Sequence, residues 1–300
     1  MKLFNLHQSN KRFIAIEQAD GSVRGLEVAT GSIPTIEEFL TLTKAAQASI
    51  SKRISDGKEI NMDTVDFLPA VSAPGKVVCI GLNYHDHTKE SGYDQPDYPT
   101  IFPRFNSSLT GHNCPIIRPT ISDSLDFEGE LAVIIGKGGR HISKQDALNH
   151  VFGYSIFNDG SVREFQFKSP QWTVGKNFDD TGAFGPSIVT ADSLPAGGKS
   201  LKLQTRLNNN VVQSANTSDM IFHVDELISI LSQAVTLEAG DVIVAGTPSG
   251  IGWARDPKIL MQEGDVCEVE IEGIGTLSNP IKQESVSKPS LSKTAYRSMR

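Results

Sequence analysis

Asp126-Phe127-Glu128-Gly129-Glu130-Leu131-Ala132-Val133-Ile134-Ile135-Gly136 is the stretch on which the fold turns. Its apolar half has the length and β-branched content of a buried strand. An extended backbone puts Glu128 and Glu130 two residues apart on one face. Like charges on one face repel, so the pair needs either full solvation or a cation between its carboxylates. A hard divalent ion such as Mg²⁺ meets that need, because it takes carboxylate oxygens and keeps waters that a substrate can displace. Gly129, between them, is read as room for another group to approach the metal. The plainer alternative is a solvated acidic turn ahead of a strand, since charged residues are mostly at the surface.

The surroundings narrow the choice. The chain has 300 residues, 38% hydrophobic and 21% charged, enough for one large domain or two smaller ones of ordinary globular type. A net charge of −7, with Lys and Arg scattered, argues against nucleic acid or an anionic membrane as partner. The N-terminus lacks the apolar core of a signal peptide, and no apolar run approaches the roughly 20 residues that span a bilayer. Cys79, Cys114 and Cys267 are odd in number and show no CxxC pairing. They read as reduced thiols in the cytoplasm rather than a zinc site.

Residues 1–70 are expected to form a small N-terminal α+β domain. Its hairpin is read from Phe13-Ile14-Ala15-Ile16-Glu17 and Val23-Arg24-Gly25-Leu26-Glu27-Val28. Thr35-Ile36-Glu37-Glu38 has the capping-box pattern, opening one helix with Phe39, Leu40, Ala46 and Ile50 on its apolar face. Residues 68–75 are the linker, and 75–282 the main domain. There the expected elements are a strand at 77–81, a loop over 91–103, a capped helix near 143–149 and a strand over 151–157. A hairpin turns at Asn208-Asn209-Asn210, a helix covers 223–233, and strands lie at 241–246 and 266–272. From Gln283 onward Ser and Lys dominate, and a disordered tail is expected over 283–300.

Chemistry-bearing residues cluster around the opening stretch. Asp159 closes the 151–157 strand region, where rigid scaffolds commonly place functional groups. With Glu128 and Glu130 it makes three oxygen donors, leaving about three octahedral positions for water or a chelating substrate. Structural ion pairs look the same in sequence. His87 and Glu90, three apart, share a face if helical, so the carboxylate can orient the imidazole to take a proton from water. The alternative is a surface pair, and His85 competes for the role on spacing alone. Arg163 offers a planar fork for a substrate carboxylate, and Lys176 a point charge for a developing oxyanion. Gln166 belongs to the same polar stretch. Gly246-Thr247-Pro248-Ser249-Gly250-Ile251-Gly252 is a tight loop whose amides and Thr247 hydroxyl could hold a carboxylate; it lacks the GK[ST] ending of a P-loop.

Taken in order, these pieces resemble the fumarylacetoacetate hydrolase family. The likeness runs from Asn83-Tyr84-His85-Asp86-His87-Thr88-Lys89-Glu90 through Asp126-Phe127-Glu128-Gly129-Glu130-Leu131, Asn158-Asp159 to Arg163, Gly175-Lys176 and Gly185-Pro186 to the 246–252 loop. It implies a strand-dominated α+β fold, the family's mixed β-roll, assembled as a homodimer. It implies that Glu128, Glu130 and Asp159 hold Mg²⁺ or Mn²⁺, and that His87 with Glu90 activates water on a lid. It also places Arg163, Gln166, Lys176 and Thr247 where the family contacts a 2-oxo acid. At Arg104, also expected on substrate, many relatives carry Lys; Arg stays charged and prefers bidentate contacts. Phe165, Phe167 and Trp172 suggest an apolar wall for the distal end of a substrate.

The resulting expectation is a divalent-metal-dependent hydrolase cleaving a carbon–carbon bond in an acylpyruvate or related 1,3-diketo acid. Its enolate would be stabilised by the metal and Lys176. Decarboxylation of oxaloacetate or a β-keto acid, and tautomerisation of a 2-oxo acid, use the same enolate and stay open as alternatives. A non-catalytic metal-binding protein is the rival from another class, and His87, Glu90 and Lys176 speak against it.

Overall fold

Alternating apolar residues at the N-terminus form a meander of β1 (Lys2–Gln8), β2 (Lys11–Glu17) and β3 (Val23–Glu27). It belongs to a computed structural model in which residues 1–285 are described. β1 is missing from the sequence expectation because Asn5 breaks its apolar pattern. Asn5 is nevertheless buried, its amide donating to Pro69 O and Ser72 Oγ at 2.9 Å each. The capping box at Thr35 forms with both reciprocal bonds: Thr35 N–H donates to Glu38 Oε2 at 2.9 Å and Glu38 N–H to Thr35 Oγ1 at 3.2 Å. It opens two helices rather than the single one expected, α1 (Ile36–Thr41) and α2 (Lys44–Ser55). Leu42 turns extended, and Thr43 starts the second helix by accepting the Ala46 N–H.

The short strands β4 (Lys58–Glu59) and β5 (Asp66–Phe67) lead into β6 (Val77–Gly81), α3 (His85–Glu90) and β7 (Thr100–Pro103). Part of the expected 91–103 loop is therefore strand: β7 pairs antiparallel with β6 as the last strand of its sheet. An edge position tolerates the missing N–H of Pro103. Next come β8 (Leu109–Thr110), β9 (Ile116–Arg118), β10 (Leu125–Asp126) and β11 (Gly129–Ile135). The helix expected near 143–149 is only a 3-10 turn at Ala147–His150. Ser143 Oγ and Asp146 Oδ1 take local partners that compete with helical bonding.

The chain continues through β12 (Val151–Asp159), β13 (Ser161–Val162), α4 (Arg163–Gln166) and β14 (Gly182–Thr190). β14 is fully buried but is missing from the sequence expectation, because Gly182, Gly185 and Pro186 are turn signals. β15 (Lys202–Leu207) and β16 (Asn210–Asn216) form the expected hairpin, with Asn208 and Asn209 at φ of 51° and 66°. α5 (Val224–Ala234) buries Val224, Leu227, Ile228 and Leu231 as its pattern requires. The strands β17 (Val242–Val244), β18 (Val266–Ile271) and β19 (Gly275–Gln283) complete the order.

The architecture is strand-dominated and mixed. A 12-stranded sheet runs β4-β3-β2-β1-β14-β12-β11-β17-β6-β7, with β5 and β8 attached to β1 and β14. A 5-stranded sheet, β16-β15-β18-β19-β9, packs on it. β11 lies between two apolar cores. Leu131, Val133 and Ile135 join the core with Leu203, Val269 and Leu277 of the second sheet. Ala132 and Ile134 join the opposite core with Phe39, Leu40 and Val244. Burial on both faces explains the unbroken apolar run. The first 70 residues share this large sheet through β1 and β14, where Leu3 pairs with Ile188. The first residues of the expected tail are ordered. Gln283 still belongs to β19, and Glu284 N–H donates to Arg118 O at 2.8 Å. Residues 286–300 of the expected tail lie outside the described residues.

One half-buried group should make the fold acid-sensitive. The His112 ring packs edge-on to Phe67 at 4.7 Å, and its Nδ1 accepts the Ser278 N–H at 3.0 Å. Burial pushes its pKa from the ordinary 6.5 down to about 4. Below 6.5 the unfolded chain takes up a proton that the native state refuses, so stability falls as pH drops from 6.5 to about 4. Urea midpoints measured across that window should fall more steeply for the wild type than for His112→Gln. Parallel curves would remove this residue from the acid response.

Candidate active site

The acidic cluster follows from strand register. β11 and β12 run antiparallel, and Asp159 N–H donates to Glu128 O at 2.8 Å, so these two residues stand opposite each other. Glu130 lies two residues along, on the same face by alternation. Oxygens of Glu128, Glu130 and Asp159 lie within 4.8 Å of one another, and all three residues are buried. Asn158 Oδ1 fixes the strand end by accepting Glu128 N–H at 3.0 Å. Gly129 does not serve the metal side. Alternation turns it to the other face, where a Cβ would lie 2.2 Å from Thr205 Oγ1 and 2.9 Å from Val269. Its missing side chain lets the second sheet close.

Two cations neutralise part of this charge. Lys176 Nζ lies 2.6 Å from both Glu128 Oε2 and Asp159 Oδ2, and Arg163 Nη1 lies 2.7 Å from Glu128 Oε1. Burial raises the Glu128 pKa, but Lys176 and Arg163 outweigh it and hold the carboxyl below its ordinary value. Among the described residues the Glu130 carboxylate accepts one hydrogen bond, from the Gly246 N–H at 2.5 Å. Burial, followed by the charges of Asp159 and Glu128, pushes its carboxyl well up. A buried acid held off ionisation by its neighbours is relieved by a bound cation. The donor set is oxygen only, which fits Mg²⁺ or Mn²⁺.

The His–Glu pair sits on α3, facing the cluster. His87 Nδ1 lies 2.9 Å from Glu90 Oε1, and Gly250 N–H donates to both Glu90 oxygens, at 3.0 and 2.9 Å. Gly250 has φ +105°, and a Cβ there would come within 2.3 Å of Val212 O, so only glycine fits. Its carbonyl accepts Arg255 Nε at 3.2 Å. His85, the competing histidine, is exposed, whereas His87 is buried and lines the cavity.

That cavity has a volume of about 260 Å³. His87, Glu90, Glu128, Glu130, Arg163, Gln166, Lys176 and Thr247 all line it; Asp159 and Arg104 do not. Several expected donors are already engaged. The Arg163 fork, aimed in sequence at a substrate carboxylate, instead holds Asp126 Oδ2 through Nε at 2.9 Å and Gln166 Oε1 through Nη1 at 2.9 Å. The Thr247 hydroxyl donates to Gly129 O at 3.1 Å and accepts from Gln213 Nε2 at 2.8 Å. Gln213 and Asp126 organise the site too: Asp126 opens the acidic stretch, where the sequence assigns it no role, and Gln213 carries no sequence signal. Asp126 accepts Gly252 N–H at 2.9 Å and Trp253 N–H at 3.0 Å, tying the 246–252 loop to Arg163.

Arg104 is not a wall of the cavity but the support behind Asp159. Fully buried, it pairs with Asp159 Oδ1 and donates to Thr181 Oγ1 at 2.8 Å, Ser108 Oγ at 3.1 Å and Gly160 O at 3.2 Å. Gly182 leaves the room it needs, since a Cβ there would lie 2.8 Å from the guanidinium. Arg104→Met should destabilise the protein by about 3–5 kcal/mol, because it removes one of the two cations that hold the buried Asp159 carboxylate. It should also weaken Mn²⁺ binding by about 10–100-fold, as loss of a group that orients a metal ligand does. Chemical denaturation and Mn²⁺ calorimetry check both, and Arg104→Lys should lie between. A variant with changed substrate KM alone would restore the direct substrate contact.

Residues 76–282 match the family model described as fumarylacetoacetate (FAA) hydrolase C-terminal. The chain is 40% identical over 266 residues to the human mitochondrial oxaloacetate tautomerase FAHD2A, covering 87% of this chain and 84% of that protein. Among solved structures, a fumarylacetoacetate hydrolase from Exiguobacterium antarcticum superposes with a TM-score of 0.81 at 36% identity, covering 95% of this chain and 100% of that one. A 5-carboxymethyl-2-hydroxymuconate delta-isomerase from Mycobacterium smegmatis does so with a TM-score of 0.74 at 29% identity, with the same coverage.

Proposed function

Because the chain belongs to the fumarylacetoacetate hydrolase family, we propose that it interconverts the keto and enol forms of a short 2-oxo diacid of the oxaloacetate type. The observation that carries this is the size and furnishing of one cavity. His87, Lys176, Glu128 and Glu130 share a volume of about 260 Å³, below the roughly 300–1,000 Å³ of ordinary ligand pockets. A four-carbon acid suits that space better than an extended acylpyruvate. The tautomerase named among the relatives supports the same reading.

Glu128, Glu130 and Asp159 would hold Mg²⁺ or Mn²⁺, which supplies Lewis-acid charge for the 2-oxo and carboxylate oxygens. Proton movement belongs to His87. Glu90 orients the imidazole through Nδ1, leaving the other nitrogen for the cavity and the substrate C3 proton. Deprotonation at C3 puts negative charge on the 2-oxo oxygen. Protonation of that oxygen gives the enol, and return of the proton to C3 reverses the reaction. Lys176 is the fixed positive charge for that oxygen. Burial lowers its pKa, but Asp159 and Glu128 outweigh this, so it stays an ammonium.

A second reading, hydrolysis of an acylpyruvate, is favoured by the same His87–Glu90 pair, which could equally activate water. Supplying enol-oxaloacetate and an acylpyruvate separately, with Mn²⁺ or with EDTA, decides between them. Metal-dependent ketonisation of the enol without acylpyruvate cleavage is the expected result. Cleavage without ketonisation would overturn the tautomerase reading. The three free thiols suit a reducing compartment. Among the described residues no helix is long and apolar enough to cross a membrane. A homodimer, tested by light scattering, is part of this proposal.

A further inference from the structure

We propose that Trp172, seated on Gly81, sets how long a distal group the cavity accepts. The inference rests on the 2-oxo acid reading above and adds a residue that decides among 2-oxo acids. After α4 the chain folds back so that Lys176 N–H donates to Trp172 O at 3.2 Å. The indole and the buried ammonium therefore come from one turn and line one cavity. If the ammonium meets the 2-oxo end, the indole is placed to meet what extends beyond it.

The packing around the indole is specific. A Cβ on Gly81 would lie 2.3 Å from Trp172 Cζ3 and 2.9 Å from Cη2. Gly81 is not among the residues with positive φ, so its backbone does not call for glycine; the indole does. On its other sides Trp172 meets the Phe102 ring at 5.5 Å and the Tyr93 ring at 6.1 Å, both edge-on. Tyr93 follows closely on α3, which carries His87 and Glu90. The plug thus joins a rigid strand, the turn bearing Lys176 and the segment bearing the proton-transfer pair. Filled this way, the distal space is closed to chain extension by contact rather than by charge.

The test measures binding by the Mn²⁺-loaded protein of straight-chain 2-oxo acids from pyruvate to 2-oxooctanoate, by calorimetry. Wild type should lose affinity along the series. Trp172→Ala should favour the longer acids over pyruvate by about tenfold or more, since single methylenes in an apolar pocket are worth roughly 10–200-fold. Its affinity for Mn²⁺ should be unchanged, which a merely structural loss would not allow. Gly81→Ala, pushing the indole inward, should shift preference further toward pyruvate. Trp172→Phe keeps an aromatic in place and should lie between wild type and Ala, giving a reading if the Ala variant fails to fold. Variants that keep the wild-type ranking, or lose all acids equally, would overturn the inference alone. A wild type that binds none of the acids would overturn the 2-oxo acid reading and this inference with it.

Discussion

Glu128→Ala should abolish both Mn²⁺ binding and turnover. Glu128 is the centre of the charge network: it supplies one of the three clustered carboxylates and partners both Lys176 and Arg163. Losing it removes a donor from the candidate metal site and leaves two buried cations short of a counter-charge. The first effect should cost about 4 kcal/mol of transition-state stabilisation, or roughly 10³-fold in rate, since a Lewis acid contributes several kcal/mol. The second should lower folding stability by about 3–5 kcal/mol. Glu128→Gln keeps the volume and separates the two: its fold should suffer less than that of Glu128→Ala, while metal binding and turnover should fall nearly as far. Mn²⁺ calorimetry, thermal unfolding and the ketonisation assay give the three readouts. Metal-dependent activity surviving in both variants would place the site elsewhere.

Lys176→Met should divide metal binding from turnover. Lys176 Nζ bridges Glu128 and Asp159 at 2.6 Å each, with Phe102 beneath it at 5.0 Å. Without the ammonium the three carboxylates repel one another with only Arg163 and Arg104 left to offset them, so the metal-free protein should lose about 3–5 kcal/mol of stability. A divalent ion can then supply the missing positive charge, and Mn²⁺ should bind more tightly than to wild type. At 100 times its Kd, Mn²⁺ should return about 2.7 kcal/mol. Turnover should stay about 10²–10³-fold down even with metal saturating, because the charge facing the developing oxyanion is gone. Thermal unfolding with and without Mn²⁺, together with kcat at saturating metal, checks the pattern. Weaker Mn²⁺ binding, as in Glu128→Ala, would reduce Lys176 to a structural counter-ion.

What the sequence made legible was local. The run after Glu130, the Thr35–Glu38 capping box, the Asn208-Asn209 turn and the apolar face of α5 are each decided within a few residues. Periodicity and turn chemistry act at that range. Glu128, Glu130 and Asp159 were legible for a related reason, since all three sit at the ends of strongly apolar strands. β1 and β14 were not, because Asn5 and the glycines with Pro186 look like breaks until their partners are known. The helix near 143–149 failed through local competition by Ser143 and Asp146.

The arrangement of the donors depended on the tertiary structure. Arg163 looks like a substrate fork in sequence, and the family resemblance puts Arg104 on the substrate as well. Yet Asp126, Glu128 and Gln166 take up the first, and Asp159, Thr181 and Ser108 the second. Gln213 and Arg255 carry no local pattern, because their partners lie on other segments. Gly129 was read as space for a metal and proved to be space for a sheet.

The sequence alone determined that Glu128 and Glu130 share one face beside a doubly buried strand, since alternation is a property of the extended backbone itself. Only the tertiary structure decided what meets them there. Asp159 arrives by strand register, Lys176 and His87 by the return of distant segments, and Trp172 by the space left on Gly81. These are contacts between residues far apart in the chain, and neither periodicity nor turn chemistry reaches that distance.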